Sequence, residues 1–527
     1  MNFEIIDIQP TQITVELDNS DRFKPASPVR VELNGADMGE YDVNVFTIDG
    51  LTPDTSYELA VVDTVSETES ASGKKCVKTF VTRHESVLLN VKEFGAVGDG
   101  SKNDTAAIQT AILACPEDGT VYLGKGTYLS GPIFLKSNIR IRIDEGARIL
   151  GLTDRNEYPV LPGMILDSNE RDEFNFASWE GNPLSCYASL ITGIGVENVS
   201  IYGRGTIDGN APSSDWWTDP KVKRGAWRPR LVFLNNCKCI TLQGVEVCNS
   251  PSWTIHPYYS EHINIIGVTI RNPDNSPNTD GIDPESCRHV RIIGTDISVG
   301  DDCIAIKSGK YYMADKHYVR TEDVKVRNCM LNRGHGSVTI GSECACGVKD
   351  VLVSKCIFDS TDRGLRIKSR RGRGSKSVLE NIVFDNIDMR DVYMPFTVNM
   401  FYFCDPDGHS EYCQCKDPLP VDDMTPEIKS IIARNIKCSG AEVCILTVYG
   451  LPERKVGLVS LENIEAEFKP ESERNAKVPV MMDGMEPMSG KGIYARNVSK
   501  LELKNVVIKG ITDTEPDIDE VDCVVRD

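Results

Sequence analysis

Between Asn278 and Lys368, four short stretches hold polar residues that do not look like solvated surface: "NTDGIDPESC", "SVGDDCIAIKSG", "NRGHGSVTIGSE" and "RGLRIK". They supply Asp280 and Asp283, the adjacent pair Asp301 and Asp302, His335 between two glycines, and the cations Arg366 and Lys368. A cluster of carboxylates suits glycoside hydrolysis. One carboxyl stays protonated to feed the leaving oxygen, and another is ionised to activate water. Like charges held close push one pKa up, and this supplies the acid. The cations alternate around Ile367, so a strand would show both on one face and bury the isoleucine. They belong to a run, Arg363 to Gly374, with six cations in twelve residues, inside a chain of formal charge -20. That acidic balance argues against general nucleic-acid or membrane-surface binding, which needs positive potential.

Each group lies at the start or break of a short strand, so the elements that carry them decide whether they meet. Such strands recur: "ITLQGVEV" from Ile240, then units from Ile263, Val290, Val324, Val351 and Ile382, at intervals of 23, 27, 34, 27 and 31 residues. Each is a strand, a Gly or Asn/Asp break and another strand, with no helix between. This pattern predicts a right-handed parallel β-helix, whose coils bury a shared core and push insertions outward. Stacking would bring the four groups side by side. In a regular strand Asp301 and Asp302 would face opposite ways, so both reach one cleft only if Gly300 marks a bend. His256, one coil earlier, is a further candidate for the cleft lining. Cys248, Cys287, Cys329 and Cys356 recur at similar places in the coils and read as small core hydrophobes.

The first part of the chain has a different texture. "TQITVEL", "VRVELNG", "YDVNVFTI" and "SYELAVVD" alternate apolar and polar residues between turns. We expect a small β-sandwich over residues 1–83 and the β-helix over 84–527, an all-β chain. "VKEFGAVGDGSKNDTAAIQTAILAC" then reads as a loop and amphipathic helix capping the solenoid. The N-terminus shows no basic or apolar leader, and eighteen cysteines in so long a chain read as reduced thiols. Both point to the cytoplasm. "FCDPDGHSEYCQCKD" offers Cys404, His409, Cys413 and Cys415 as a zinc set by residue type, although the C-x-C spacing is unusual for structural zinc.

"NTD", "DD", "GHG" and "RIK", in this order on a β-helix, resemble the four signatures of glycoside hydrolase family 28, the polygalacturonases. The resemblance covers about Val91 to the C-terminus. It implies hydrolysis of α-1,4-galacturonosyl bonds with inversion and without a metal or other cofactor. Asp301 would be the general acid, and Asp280 and Asp302 would hold the attacking water. His335 would tune the acid or bind substrate, Arg366 and Lys368 would bind the galacturonate carboxylate, and Asn278 would shape the site beside Asp280. An inverting mechanism calls for acid and base carboxyls ~6.5–9.5 Å apart. "GLTPDTSYELAVV" likewise resembles the fibronectin type III pattern, with Tyr57 as its corner tyrosine.

"GKYYMADKHYVRTED", "GSVTIGSE", "NMFYFCDPDGH" and the fibronectin-like unit resemble the bacterial exo-acting branch. Added loops would wall off one end of the groove, and Tyr402 would offer an aromatic platform near the cleavage point. The expected partners are galacturonan oligosaccharides taken from a chain end, with neither nucleic acid nor membrane. Other readings are a rhamnogalacturonan or xylogalacturonan hydrolase, a Ca²⁺-dependent pectate lyase, and a non-catalytic sugar-binding solenoid. Paired cations argue against the first of these, and the carboxylate triad against the last.

Overall fold

The computed structural model describes residues 2–63 and 75–527. From Leu88–Asn90 to Asp517–Arg526 the chain winds through short strands that pair in parallel with the coil before and the coil after. Three lateral stacks result. The first includes Lys238–Gln243, Glu261–Ile266, Arg288–Ile293, Thr321–Arg327 and Val348–Ser354. A second includes Glu246–Cys248, Thr269–Arg271, Asp296–Ser298, Met330–Asn332 and Ile357–Asp359. The third runs through Val232–Asn235, Ile255–Tyr258, Ile304–Ile306, Val338–Ile340, Arg363–Lys368, Met394–Asn399 and Cys444–Tyr449. This is the parallel β-helix that the repeat predicts. The strand–break–strand unit is one strand of the first stack and one of the second, and its break residue has a left-handed backbone. Gly244, Gly267 and Gly294 hold φ of 72°, 59° and 64°, and Asn328 holds 53°. Glycine adopts that conformation without strain, and asparagine does so more readily than other residues.

Register turns the repeat into a core. Ile240, Ile263, Val290, Val324, Val351 and Ile382 lie side by side on consecutive rungs, all buried. Each such side chain contributes roughly 1.5–3 kcal/mol by leaving water. Cys287, Cys329 and Cys356 are buried free thiols of the same core, as expected of small hydrophobes, whereas Cys248 is buried beside Asp208, outside that core. The helix Thr105–Ala114 closes the N-terminal end of the solenoid with buried Ile108, Ala111 and Ile112. Asp104 precedes it, and its carboxylate accepts the Val97 and Gly98 N–H groups, which ties the glycine-rich loop to the cap.

Residues ahead of the solenoid form a three-stranded sheet (Asn2–Ile8, Gln12–Asp18, Val45–Asp49) and a four-stranded sheet (Ala36–Tyr41, Val29–Leu33, Ser56–Asp63, Lys75–Val81), both antiparallel. Phe3, Val15, Val31, Phe46 and Leu59 share one core between them. Tyr57 stacks on Phe80, and its hydroxyl accepts the Thr52 N–H at 2.9 Å, which pins the preceding turn. This unit rests on the first stack. Glu16 accepts Arg327 through both oxygens at 2.6 and 2.7 Å, and Gln12 donates to Gln243 at 2.7 Å. Among the described residues no helix is long and apolar enough to cross a membrane.

Candidate active site

The outward face of the third stack carries the site in two parallel rows. In one, Phe233, His256, Asp283, Ala305, Thr339, Arg366 and Thr397 follow one another rung by rung. The other passes through Tyr258, Glu285 and Lys307, then Gly341, then Lys368 and Asn399. Gly341 is required between the two lysines. Its φ is 90°, and a Cβ there would stand 2.1 Å from the Lys368 carbonyl oxygen. Ile367 faces inward and is buried, so the alternation in Arg366-Ile367-Lys368 aims both cations outward as expected.

Asp301 and Asp302 belong to neither flanking strand. They lie in the bend between Asp296–Ser298 and Ile304–Ile306, with Gly300 at its start. A Cβ on Gly300 would come within 2.5 Å of the Ser276 carbonyl, so glycine permits the chain to pass there. Freed from strand alternation, both aspartates turn to the same side. Asp280, Asp301 and Asp302 bring one oxygen each within 4.8 Å of one another. The spacing falls below the ~6.5–9.5 Å usual for inverting acid–base pairs. It does match two acceptors bridged by one water, since each O–H···O contact spans ~2.7–2.8 Å.

The three carboxyls are held in different electrical states. Asp302 is fully buried, accepting Arg366 Nη1 at 3.0 Å and Lys368 Nζ at 2.8 Å. Burial favours its neutral form, but Lys368 and Arg366 outweigh that and hold the carboxyl well below the ordinary range. Asp280 is 3% exposed, and its Oδ1 has no hydrogen-bond partner in the protein. Burial, and after it the charge of Asp301, pushes Asp280 up to about 7. The carboxyl that repulsion raises is thus Asp280, and its proton belongs to the coupled cluster. Asp301 is the partly exposed member of the three, and its Oδ1 accepts the Asp302 N–H at 3.0 Å.

His335 donates its backbone N–H to the Asp301 carbonyl at 3.1 Å, while its exposed ring pairs with Asp362 at 2.9 Å. That hydrogen bond raises the pKa of the ring, so it is charged in mild acid. Asn278 accepts Arg228 through its side-chain oxygen at 2.7 Å and sits at φ 56°, turning the chain toward Asp280.

One expectation needs correction. His256 lies one coil earlier, as anticipated, but has no exposed surface. Arg230 Nε donates to its Nδ1 at 3.3 Å and its Nε2 faces Glu285 at 2.9 Å, which places the ring proton on Nε2. Burial, then Arg230 and Lys307, depress its pKa, so it supports the floor as a buried neutral ring. Tyr402 keeps 9% of its surface, about as much as Arg366 and Lys368, and Lys368 Nζ lies 5.6 Å above its ring.

The zinc set does not converge either. His409 bonds Asp483 at 2.8 Å, while Cys413 Sγ receives Arg370 Nη1 at 3.0 Å. The three arginines after Lys368 are buried structural cations. Arg371 grips Glu453 through both oxygens, and Arg370 and Arg373 converge on Asp405.

Lys307 and Glu343 escaped the reading of the motifs. Lys307 Nζ stands 3.7 Å from Asp280, 3.4 Å from Asp283 and 3.4 Å from Glu343, and 4.2 Å over the Trp253 ring. The signal that could have revealed it was the parallel between "IAIKSG" and "RIKSR", two strands with a cation after the same apolar step.

A model of glycosyl hydrolases family 28 matches residues 139–447. The chain belongs to that family. Among curated relatives, a probable polygalacturonase of Vitis vinifera is 32% identical over 60% of this chain, and the match spans 64% of that protein's own length. An endo-polygalacturonase of Pectobacterium carotovorum subsp. carotovorum is 31% identical over 57% of this chain and 73% of its own. The solved exopolygalacturonase of Thermotoga maritima superposes with a TM-score of 0.65 at 25% identity, over 81% of this chain and 93% of that one. The family 28 chain described here thus has relatives named for both endo and exo action.

Proposed function

We propose that the protein is an exo-acting polygalacturonase that hydrolyses α-1,4 bonds of oligogalacturonides from a chain end. The observation that carries this reading is the junction of the carboxylate trio with Arg366 and Lys368. These two cations stand beside the reacting position on one outward strand face, suited to a sugar bearing its own carboxylate. Arg can grip such a group bidentately, and Lys adds a point charge.

In the mechanism we infer, Asp301, the accessible member, gives its proton to the departing glycosidic oxygen. Asp280 and Asp302 hold one water between them, and its oxygen attacks the anomeric carbon from the opposite face. The water's proton passes to the ionised form of Asp280, which binds a proton more tightly than Asp302 does. Asp302 stays ionised and orients the water. The same grip that keeps Asp302 ionised blunts it as a nucleophile, which supports inversion despite the short spacing. The trio does not suit a divalent cation, because Lys307, Arg366 and Lys368 already neutralise it.

Exo action is supported by a wall of tied loops. Tyr312 and His317 both bond Glu173, at 2.8 and 2.9 Å, joining the 309–320 loop to the insertion after residue 160. Lys310 donates its backbone N–H to Gly181 at 2.9 Å and its ammonium to Asp405 at 2.8 Å, bringing in the 400–415 loop. Residues 1–83 fit a fibronectin type III-like unit beside a catalytic domain of residues 84–527. Eighteen unpaired thiols favour a reducing compartment, so we assign the enzyme to the cytoplasm, to be checked by fractionation. Timed chromatography of penta-galacturonate digests tests the exo reading. It requires monomer or dimer from the first time point with stepwise shortening, and a spread of internal fragments would refute it.

A further inference from the structure

The Lys307 ammonium has no role among the four motifs, yet it touches more of the site's carboxylates than any cation in them. It is 4% exposed and lies between Asp280 on one side and Asp283 and Glu343 on the other, over the face of Trp253. Glu285 is its neighbour on the adjoining rung, backed by neutral His256, and Arg230 also lies 4.2 Å from the Trp253 ring centre. Asp280 in turn faces Asp301, Asp302, Lys368 and, at longer range, Arg228.

We propose that Lys307 is a positioning residue for hydrolysis: shared among three carboxyls, it holds Asp280 beside the attacking water and favours its charged form. The proposal rests on the reading of Asp280 as the base. A carboxyl buried among like charges would otherwise stay protonated and accept nothing from water. Lysine suits the place because its compact charge reaches three acceptors from one atom. The distances show a competition, since Nζ sits 0.3 Å nearer Asp283 and Glu343 (3.4 Å) than Asp280 (3.7 Å). Glu343, which burial alone would keep neutral, is held at about 2 by Lys307 and Lys310, so it draws on Lys307 as a full anion. Removing Glu343's charge should therefore help Asp280 ionise, and removing Lys307 should hinder it.

The full-length Lys307→Met, Lys307→Arg and Glu343→Gln variants are assayed on trigalacturonate from pH 4 to 9. Lys307→Met should move the acidic limb of kcat/KM up by about one to two pH units, with KM within about threefold of wild type. Lys307→Arg should restore the wild-type limb, and Glu343→Gln should move it down. An unmoved limb in folded Lys307→Met, or an upward move in Glu343→Gln, overturns the proposal. Should Lys307→Met fail to fold, the direction in Glu343→Gln decides alone.

Thermal melts give an arm free of substrate. The gain in Tm from adding Asp280→Asn levels off at the pH where Asp280 finishes ionising. That plateau should move up in Lys307→Met and down in Glu343→Gln, and a fixed plateau in both overturns the proposal. If wild type turns over no galacturonide, the functional reading fails, while these melts still decide the role of Lys307.

Discussion

Lys368 Nζ lies 2.8 Å from Asp302 Oδ2, so the cation proposed to take the sugar carboxylate also holds a carboxylate of the site ionised. Arg366 does the same at 3.0 Å from the other oxygen. Under the proposed mechanism one strand couples substrate recognition to the state of the reacting group, and removing either cation should disturb both.

Lys368→Met should lower kcat/KM on trigalacturonate about 10- to 100-fold, the worth of a hydrogen bond between charged partners at ~1.5–3 kcal/mol. Preference for the free acid over its methyl ester should fall as well. Competition assays between the two substrates measure that second effect, and an unchanged preference would remove Lys368 from carboxylate recognition.

Asp280→Asn and Asp302→Asn should both abolish turnover yet shift stability in opposite directions. Asp280 has a raised pKa in the fold, so its favourable contribution is complete below about pH 4 and is lost as pH rises through about 7. Asparagine should thus raise Tm at pH 8 and leave it unchanged at pH 4. Asp302 has a lowered pKa, and its contribution is present at neutral pH and lost in acid. Its replacement leaves Arg366 and Lys368 without their buried partner and should cost ~3–5 kcal/mol at pH 7. Melting curves across this range check both signs.

Glu173→Ala should untie Tyr312 and His317 and open the wall at one end of the cleft. Internal fragments should then appear among the products of longer galacturonides, with the fold intact by circular dichroism. A product pattern identical to wild type would show that the wall does not enforce end attack.

Chelation should not matter. With Lys307, Arg366 and Lys368 among the carboxylates, EDTA treatment should leave the rate within about 20% of the untreated enzyme. A loss restored by Ca²⁺ would favour elimination over hydrolysis.

The β-helix was legible because its signal repeats: aliphatic residues at a recurring strand, and glycine or asparagine where the backbone turns left-handed. Asp280, Asp301, Asp302, Arg366 and Lys368 were legible because their types and order are informative by themselves. Lys307 was not, because its partners come from three separated stretches that only lateral register brings together. Arg370, Arg371 and Arg373 lie in the same basic run, and the partners that bury their charge, Asp405 and Glu453, come 32 to 82 residues further on, where no local pattern shows them. His256 shows the reverse case. It occupies the expected row, but Phe233, Trp253 and Tyr258 pack around its ring and take the surface a ligand would need.

The most direct test of the central claim is proton NMR of trigalacturonate during the first minutes of hydrolysis. The account predicts a saturated galacturonate product whose new anomeric signal appears first as the β form, before mutarotation, because water attacks opposite the α bond. An α product appearing first, which a covalent intermediate would give, or unsaturated sugars absorbing in the ultraviolet, would contradict it.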